Sequence, residues 1–330
     1  MSYLLKPLEQ CKLTFKNRLV MPPMATSKAQ QDGRVSKDIL EYYDEKSQGG
    51  YISLIIIEHS FIAQKGKASE RQLSIADNGI VEDLKELANI IHKNGSKAVM
   101  QINHAGSAAN KEVTGYEPVG PSAIANPRTG NVPKELTKNE IKIIIGEFAD
   151  AALRTKEAGF DGVEIHSAHG YLLNQFFSPL SNKRGDEYGG EILGRIKIHL
   201  EIIKAVIDAV GKDFPILLRL GASDYMEGGS TIDDSKAAAL EFENAGVDVL
   251  DISGGFCGYT VTGNTSQGYF SPLTEAIKEV VSIPVILTGG ITDAHAAEKL
   301  LSEGKADLIG VARAIYKDSK WAKRAIESLK

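Results

Sequence analysis

The segment EIHSAHGYLLNQFFSP, residues 164–179, places His166, His169 and Tyr171 within one short stretch. Each of these side chains can move a proton, and each imidazole can also bind a metal ion. A mononuclear metal site takes three or more protein ligands, and no further His, Asp or Glu follows here at a typical ligand spacing. Two imidazoles can instead donate hydrogen bonds to one oxygen atom and stabilise negative charge on it. The segment therefore favours proton chemistry with Tyr171 as the proton source, and two buried histidines bonded to backbone carbonyls are the structural alternative.

Eight short apolar runs, many of them β-branched, alternate with segments of helical spacing. The predicted strands are 18–22, 52–58, 97–102, 162–166, 215–220, 248–253, 284–288 and 307–311, and the predicted helices are about 37–47, 80–93, 138–158, 190–210, 232–245, 272–281, 293–303 and 318–328. Nearly continuous hydrophobicity is typical of strands buried on both faces of a parallel sheet. A doubly wound sheet is the weaker alternative, because no Gly-x-Gly pair opens a dinucleotide-binding turn. We therefore predict a single-domain α/β protein, a (β/α)8 TIM barrel over residues 1–330, with a short N-terminal cap and long loops after the third and fourth strands.

Composition and charge restrict the classes of function. The formal net charge of −5 provides no basic field for nucleic acid or anionic lipid. Cys11 and Cys257 are too few for a cysteine-rich zinc site, an iron–sulfur cluster or a disulfide scaffold. Neither a signal-peptide pattern nor an apolar run of about 18 residues occurs. We expect a cytoplasmic protein that acts on a small molecule, without nucleic acid, membrane or metal.

Polar residues occur at the ends of the predicted strands, where barrel enzymes carry their active sites. Gln101 and Arg219 end two strands, and a buried guanidinium there needs a ligand or an internal salt bridge, with Glu58 or Asp251 as the candidate partner. The sequence TGG at 288–290 and Arg313 follow the last two strands, at the usual phosphate site of such barrels. A tight turn and a surface ion pair are the structural alternative for these residues.

Several longer motifs resemble one family. They are KNRLVMPPM (16–24), LIIIEHS (54–60), QINHAG (101–106), GFDGVEIHSAHGYLLNQFFSPLSNKRGDEYGG (159–190), RLGASD (219–224), TGGI (288–291) and ARAI (312–315). The chain resembles, over nearly its whole length, the FMN-dependent old yellow enzymes, also called NADH:flavin oxidoreductases or ene-reductases. We expect the single-domain bacterial type.

The resemblance implies a cofactor, a reaction and a set of site residues. The cofactor is FMN, NADH or NADPH is the hydride donor, and the substrate is an enone-type α,β-unsaturated carbonyl compound, reduced at C=C in alternating half-reactions. His166 and His169 would hold the carbonyl oxygen and Tyr171 would protonate the α-carbon. The residues expected at FMN are Pro22, Pro23, Met24, Ala25, His59, Gln101, Arg219, Gly289, Gly290, Ala312 and Arg313.

Departures from the family pattern concern the redox centre and the substrate pocket. Ala25 stands where relatives often have Cys or Thr, Ser27 replaces a tyrosine and Ser107 replaces an arginine. The alternatives are an NAD(P)H oxidase or dehydrogenase that uses oxygen or a quinone, a metal-dependent barrel hydrolase or lyase with His166 and His169 as ligands, and a flavin-binding relative without turnover. The sequence does not determine the natural substrate, the choice of NADH or NADPH, or the oligomeric state. It is compatible with a homo-oligomer.

Overall fold

A computed structural model describes residues 2–10 and 12–330, so Met1 and Cys11 lie outside the described residues. The strands are β1 (Leu19–Met21), β2 (Leu54–Phe61), β3 (Lys97–Asn103), β4 (Val119–Gly120), β5 (Lys134–Glu135), β6 (Gly162–Ser167), β7 (Ile216–Gly221), β8 (Val249–Ser253), β9 (Val285–Thr288) and β10 (Leu308–Gly310). In this part of the chain, eight parallel strands close into a barrel in the order β1-β10-β9-β8-β7-β6-β3-β2. The predicted (β/α)8 barrel and its strands are confirmed.

Helices follow the barrel strands. They are α1 (Lys37–Ser47), α2 (Val81–Lys93), α3 (Lys111–Thr114), α4 (Lys138–Glu157), α5 (Leu172–Phe177), α6 (Ile192–Arg195), α7 (Lys197–Val210), α8 (Ile232–Ala245), α9 (Ser271–Lys278), α10 (Ala294–Ser302), α11 (Arg313–Lys317) and α12 (Trp321–Ser328). The predicted helix 190–210 is divided into α6 and α7, which meet at Ile196. Sequence periodicity did not predict α3, α5 or α11, because each is too short to show a repeat.

Capping residues define where the longer helices begin. Thr137 and Glu140 form a reciprocal capping box at the start of α4, as their spacing predicted. The Asp293 side chain accepts a hydrogen bond from the Ala296 amide at the start of α10.

No helix among residues 2–10 and 12–330 combines the length and apolar character that crossing a bilayer requires.

Side chains inside the barrel change from apolar to polar along the strand direction. An apolar cluster fills the end opposite the site, where Leu8, Leu13 and Phe15 of the N-terminal segment pack against inward-facing strand residues. Leu217 and Val249 belong to this cluster and pair in register on neighbouring strands. Because side chains alternate between the two faces of a strand, the next inward positions are two residues further on. In β7 and β8 those positions carry polar residues, and they lie at the barrel mouth.

The two long loops differ in construction. The loop after β3 contains α3 and a small sheet in which β4 pairs with β5. The loop after β6 begins with α5, whose residues are all buried. Both loops lie at the carboxyl ends of the barrel strands, where barrel enzymes place their functional groups.

Candidate active site

A cavity of about 470 Å³ opens at the carboxyl ends of the barrel strands. This volume falls in the range of small-molecule and cofactor pockets. Its lining residues are Pro23, Met24, Ala25, His59, Gln101, Arg128, His166, His169, Tyr171, Arg219, Tyr259, Tyr269, Thr288, Gly289, Gly290, Ile291, Thr292, Gly310, Ala312, Arg313 and Tyr316. Every site residue predicted from the sequence lines the cavity except Pro22, which is buried beside it.

His166, His169 and Tyr171 form an aromatic cluster on one wall of the cavity. The ring centroids of His166 and His169 lie 5.2 Å apart at 84°, and those of His166 and Tyr171 lie 5.2 Å apart at 67°. His166 belongs to β6, whereas Tyr171 is the N-cap residue of α5. The three polar groups can therefore reach one small ligand from adjoining directions.

A tight turn between β6 and α5 sets the position of the His169 ring. His169 has φ +61° and Gly170 has φ +75°, so the chain reverses through the left-handed region. A non-glycine residue in that region costs of order 1–3 kcal/mol and persists where surrounding contacts impose it. Two buried side chains of α5 supply such contacts: Asn174 accepts a hydrogen bond from the Gly170 amide at 2.7 Å, and Gln175 donates to the Gly170 carbonyl at 2.7 Å.

Both histidines of the cluster are neutral at physiological pH. Burial lowers the pKa of His166 well below its usual value, and electrostatic repulsion from His169 and then Arg219 adds to the effect. The pKa of His169 is also well below its usual value, through burial and then Arg219. Burial raises the pKa of Tyr171, which keeps its proton. The Nδ1 atom of His166 has no hydrogen-bond partner, and His169 Nε2 lies 2.8 Å from Ser253 Oγ. Neither ring is bonded to a backbone carbonyl, so the structural alternative does not describe them.

A β-bulge turns His59 toward the cavity. The register between β2 and β3 shifts between Ile57 and Ser60, so two residues of β2 oppose one residue of β3. The Gln72 amide nitrogen donates to the His59 carbonyl and lies 3.0 Å from His59 Nδ1. Gln72 Oε1 accepts from the Ala68 amide, which fixes the orientation of the Gln72 side chain. Since an amide nitrogen cannot accept, Nδ1 must be the acceptor and His59 carries its proton on Nε2. Burial lowers its pKa to about 4.

A buried polar layer lies at the base of the cavity. Gln101 Nε2 donates to Glu164 Oε1 at 2.7 Å, and Arg219 Nε lies 3.3 Å from Asp251 Oδ2. The pKa of Glu164 is raised well above its usual value by burial and then by Asp251. Burial also raises the pKa of Asp251, while the charge of Arg219 opposes the rise. We infer that Glu164 is protonated and that Asp251 carries the negative charge opposite Arg219. Of the two salt-bridge partners that the sequence offered for Arg219, the structure selects Asp251.

Glu58 holds the segment that enters the cavity after β1. Its carboxylate accepts hydrogen bonds from the Thr26 amide at 3.0 Å and the Thr26 hydroxyl at 2.6 Å. The Glu58 amide donates to the Tyr43 hydroxyl at 2.9 Å. Burial raises the pKa of Glu58 to about 7, and the Thr26 hydrogen bonds oppose that rise. Glu58 therefore positions the chain around Met24 and Ala25 and is not the partner of Arg219.

After β9 and at the start of α11, two backbone amides and one arginine are suited to an anion. The amides of Gly289 and Gly290 donate to no acceptor in the described chain. Gly290 has φ +67°, and a Cβ there would lie 2.6 Å from the Tyr269 ring. Arg313 makes no ion pair with a described carboxylate, and its Nη2 donates to the Tyr269 hydroxyl at 3.3 Å. Free amides beside an unpaired guanidinium are suited to a phosphate group.

Metal ligation finds no support in the part of the chain that the structure describes. Within residues 2–10 and 12–330, no three His, Cys, Asp or Glu side chains are arranged to hold a metal ion. His166 and His169 therefore lack a third ligand of these types, although their rings are close.

Comparison with protein-family models matches residues 3–330 to the NADH:flavin oxidoreductase / NADH oxidase family. The chain belongs to this family, the old yellow enzymes. It is similar to an NADH oxidase of Thermoanaerobacter brockii, with 43% identity over 96% of this chain and 49% of that protein. It is also similar to an NADPH dehydrogenase of Clostridium acetobutylicum, with 40% identity over 93% of this chain and 89% of that protein. The chain thus spans about half the length of the T. brockii relative.

Solved structures of old yellow enzymes share the fold. A complex of 2-naphthoyl-CoA reductase with 2-naphthoyl-CoA superposes with a TM-score of 0.94 at 28% identity, covering 99% of this chain and 52% of that one. An old yellow enzyme homologue of Zymomonas mobilis superposes with a TM-score of 0.86 at 28% identity, covering 99% of this chain and 93% of that one.

FMN is the cofactor of this family, with NADH or NADPH as its reductant, and the cavity of this old yellow enzyme fits it. The buried Gly289 amide without an acceptor, together with Arg313, would hold the phosphate. Gln101 uses its amide nitrogen on Glu164, which leaves its carbonyl oxygen to accept from the N–H of a pyrimidine ring. Arg219 would lie beside that ring, where its charge favours electron density on the ring.

Some cavity residues were missed or misjudged from the sequence. Arg128, Tyr259 and Tyr269 line the cavity, but each belongs to a loop whose path depends on tertiary contacts. Ser27 and Ser107, two of the departures from the family pattern, do not line it. Ser107 is buried instead, and its hydroxyl accepts a hydrogen bond from Asn126 Nδ2 at 2.8 Å.

Proposed function

We propose that this chain is an FMN-dependent oxidoreductase that reduces the C=C bond of α,β-unsaturated carbonyl compounds with NADH or NADPH. One observation carries the proposal: two neutral imidazoles and a protonated phenol line the same cavity as the residues suited to FMN. Bound FMN would accept a hydride from the nicotinamide and pass it to the substrate. The other steps depend on this chain's own side chains.

The substrate carbonyl would bind between the two imidazoles. A neutral imidazole can donate only the hydrogen on its protonated nitrogen, and His166 and His169 would each direct that hydrogen at the carbonyl oxygen. These bonds strengthen as negative charge develops on the oxygen, so they stabilise the transition state more than the ground state. Polarising the carbonyl in this way makes the β-carbon electrophilic.

Tyr171 would supply the proton for the α-carbon. Its ring stacks on His59, with centroids 5.2 Å apart and planes at 27°, and it contacts His166 on another side. These contacts restrict the ring to one orientation. Because burial raises its pKa, the phenol holds its proton until a strongly basic carbon forms.

The same proposal includes the organisation of the chain. Residues 1–330 would act as one FMN-binding barrel, with the N-terminal segment as a cap and the loops after β3 and β6 over the site. We propose a small enone-type molecule as the substrate and a cytoplasmic location. We also propose a homo-oligomer, which sedimentation analysis tests.

An absorption experiment tests the proposal directly. The purified protein, loaded with FMN, is reduced anaerobically with NADH or NADPH and then mixed with cyclohexenone. We expect the flavin absorbance to bleach with the nicotinamide and to return with the enone. A reduced flavin that persists in the presence of several enones would contradict the proposal.

A second candidate function follows from the similarity to the T. brockii NADH oxidase. In that case oxygen or a quinone would reoxidise the flavin, and nicotinamide oxidation would need no enone. Steady-state turnover in air with and without cyclohexenone separates the two functions, because only the oxidase consumes nicotinamide at an unchanged rate without the enone.

A further inference from the structure

Arg128 lies at the mouth of the cavity in a defined position. Its Nη1 donates to the His169 carbonyl at 2.6 Å. Its side chain crosses two glycines: a Cβ at Gly170 would lie 3.3 Å from Arg128 Cδ, and a Cβ at Gly258 would lie 3.4 Å from Arg128 Cζ and Nη2. Both glycines have positive φ, +75° and +77°, so the slot under the guanidinium depends on residues without side chains. The arginine is thereby held against the loop that carries His169.

A compact turn supports the backbone of Arg128. The buried Asn126 side chain accepts from the Arg128 amide at 2.8 Å and donates to the buried Ser107 hydroxyl at 2.8 Å. The Gly130 amide donates to the Asn126 carbonyl at 2.8 Å and closes the turn. Although its side chain is exposed, Arg128 starts from a backbone that buried hydrogen bonds fix in place.

The charge of Arg128 has no counter-ion in the described chain. No carboxylate of residues 2–10 and 12–330 forms an ion pair with it, and no Asp or Glu is among the cavity-lining residues. The other two arginines that line the cavity each have a partner or a proposed ligand. Arg219 faces Asp251, and Arg313 lies at the proposed phosphate site. Arg128 therefore leaves one uncompensated positive charge at the end of the cavity where His169 and Tyr171 lie.

We propose that Arg128 makes this site selective for α,β-unsaturated carboxylates, by binding the carboxylate of a substrate whose C=C bond lies between the two histidines and Tyr171. This inference rests on the proposed C=C reduction and narrows its substrate class. One carboxylate oxygen takes the place of the enone oxygen at His166 and His169. The other faces Arg128, which lies next to the His169 backbone.

The chemistry of an unsaturated acid explains why a full charge is needed. Its carboxylate already carries a negative charge, and hydride addition to the β-carbon builds a second one. Neutral imidazoles offer only dipoles, whereas a guanidinium offers a charge and a planar fork that matches a carboxylate. NADH or NADPH supplies the hydride through the flavin and is oxidised, a C–H bond forms at the β-carbon, and the π electrons form the second C–H bond at the α-carbon with the Tyr171 proton. The product is the saturated carboxylate, and water returns a proton to Tyr171.

A pair of substrates tests the assignment in the FMN-loaded protein. Cinnamate and methyl cinnamate share one carbon skeleton, and only the acid carries a charge. Reoxidation of the reduced flavin by each compound, and by cyclohexenone, is followed by stopped-flow absorbance in the wild type, Arg128→Gln and Arg128→Lys. Arg154→Gln is the matched control, because Arg154 also donates to a backbone carbonyl, at 3.1 Å to Ile75, but does not line the cavity.

We expect Arg128→Gln to lower the second-order rate constant of flavin reoxidation by cinnamate about 10- to 100-fold, the usual effect of losing a hydrogen bond to a charged group, with the ester and cyclohexenone unaffected. Arg128→Lys should restore part of the loss, and Arg154→Gln should leave the rates of reoxidation by all three compounds unchanged. An equal loss with acid and ester would show that Arg128 only holds the loop and would overturn the inference. A wild type that reduces cyclohexenone but not cinnamate would overturn it as well. If cyclohexenone also fails, the proposed function itself is wrong, and this inference falls with it.

Discussion

Replacing Tyr171 by phenylalanine removes one hydroxyl and leaves the ring in place. The ring contacts with His59 and His166, both at centroid distances of 5.2 Å, are made by atoms that phenylalanine retains. The cavity shape and the flavin-binding residues are therefore expected to stay unchanged, and so is the thermal unfolding temperature. What the variant loses is the proton that we assign to the α-carbon.

The size of the loss follows from the role of the hydroxyl. A positioned general acid contributes roughly 10²- to 10⁴-fold to a rate. Tyr171 is only partly buried beside an open cavity, so water can act as a less efficient proton donor in its place. We therefore expect a rate loss at the lower end of this range, about 10²-fold. Burial raises the pKa of Tyr171, so the phenol stays protonated from neutral pH up to its ordinary pKa. Over that pH range, the wild-type rate of flavin reoxidation by the enone should not fall through loss of this proton.

Two half-reactions measured by anaerobic stopped-flow absorbance separate this role from a structural one. Reduction of the flavin by NADH or NADPH needs no proton from Tyr171 and should proceed at the wild-type rate in Tyr171→Phe. Reoxidation by cyclohexenone should slow about 10²-fold. Tyr116→Phe, an exposed tyrosine that does not line the cavity, is the matched control. Equal losses in both half-reactions would refute the proton-donor role.

Three other replacements test separate parts of the site and the fold. His166→Ala should weaken binding of a phenolic ligand about 10- to 100-fold, seen in its charge-transfer band with the flavin, and an unchanged band would remove the oxyanion role. Arg313→Gln should weaken FMN binding by a similar factor, measured by flavin fluorescence, without affecting riboflavin, which lacks the phosphate; equal effects on both flavins would contradict the phosphate assignment. Burial lowers the pKa of His199 to about 3, and its Nε2 lies 2.8 Å from Ser167 Oγ. As pH falls below about 6.5, His199 takes up a proton in the unfolded chain but not in the folded chain. The free energy of unfolding should therefore fall by about 1.4 kcal/mol per pH unit. Urea unfolding at pH 7 and pH 5 should therefore show a weaker pH dependence in His199→Gln, and an identical dependence would contradict the burial of a neutral ring.

The barrel and most of the cavity lining could be predicted from sequence because they depend on local patterns. Apolar runs mark the barrel strands, and closing parallel strands into a barrel brings all their carboxyl ends to one mouth. That topology alone carries Gln101, His166 and Arg219 into one cavity. The helix α5 was not predicted, because its six residues are all buried and show no amphipathic repeat.

Tertiary structure decided the properties that depend on distance and burial. The sequence offered Glu58 and Asp251 equally as partners of Arg219, and only the barrel register, which pairs β7 with β8, places Asp251 beside it. The protonation of the histidines follows from burial, which no spacing of residues reveals.

Arg128 shows the same limit most clearly. It lies 41 residues before His169 in the chain, in a loop without helical or strand periodicity, yet its guanidinium bonds to the His169 carbonyl. Residue types and their spacing thus determined the fold and the kinds of chemistry available to this protein. Which groups are charged, and which of them meet at the substrate, depended on long-range packing, because electrostatic interactions are set by separation in space and by exclusion of water.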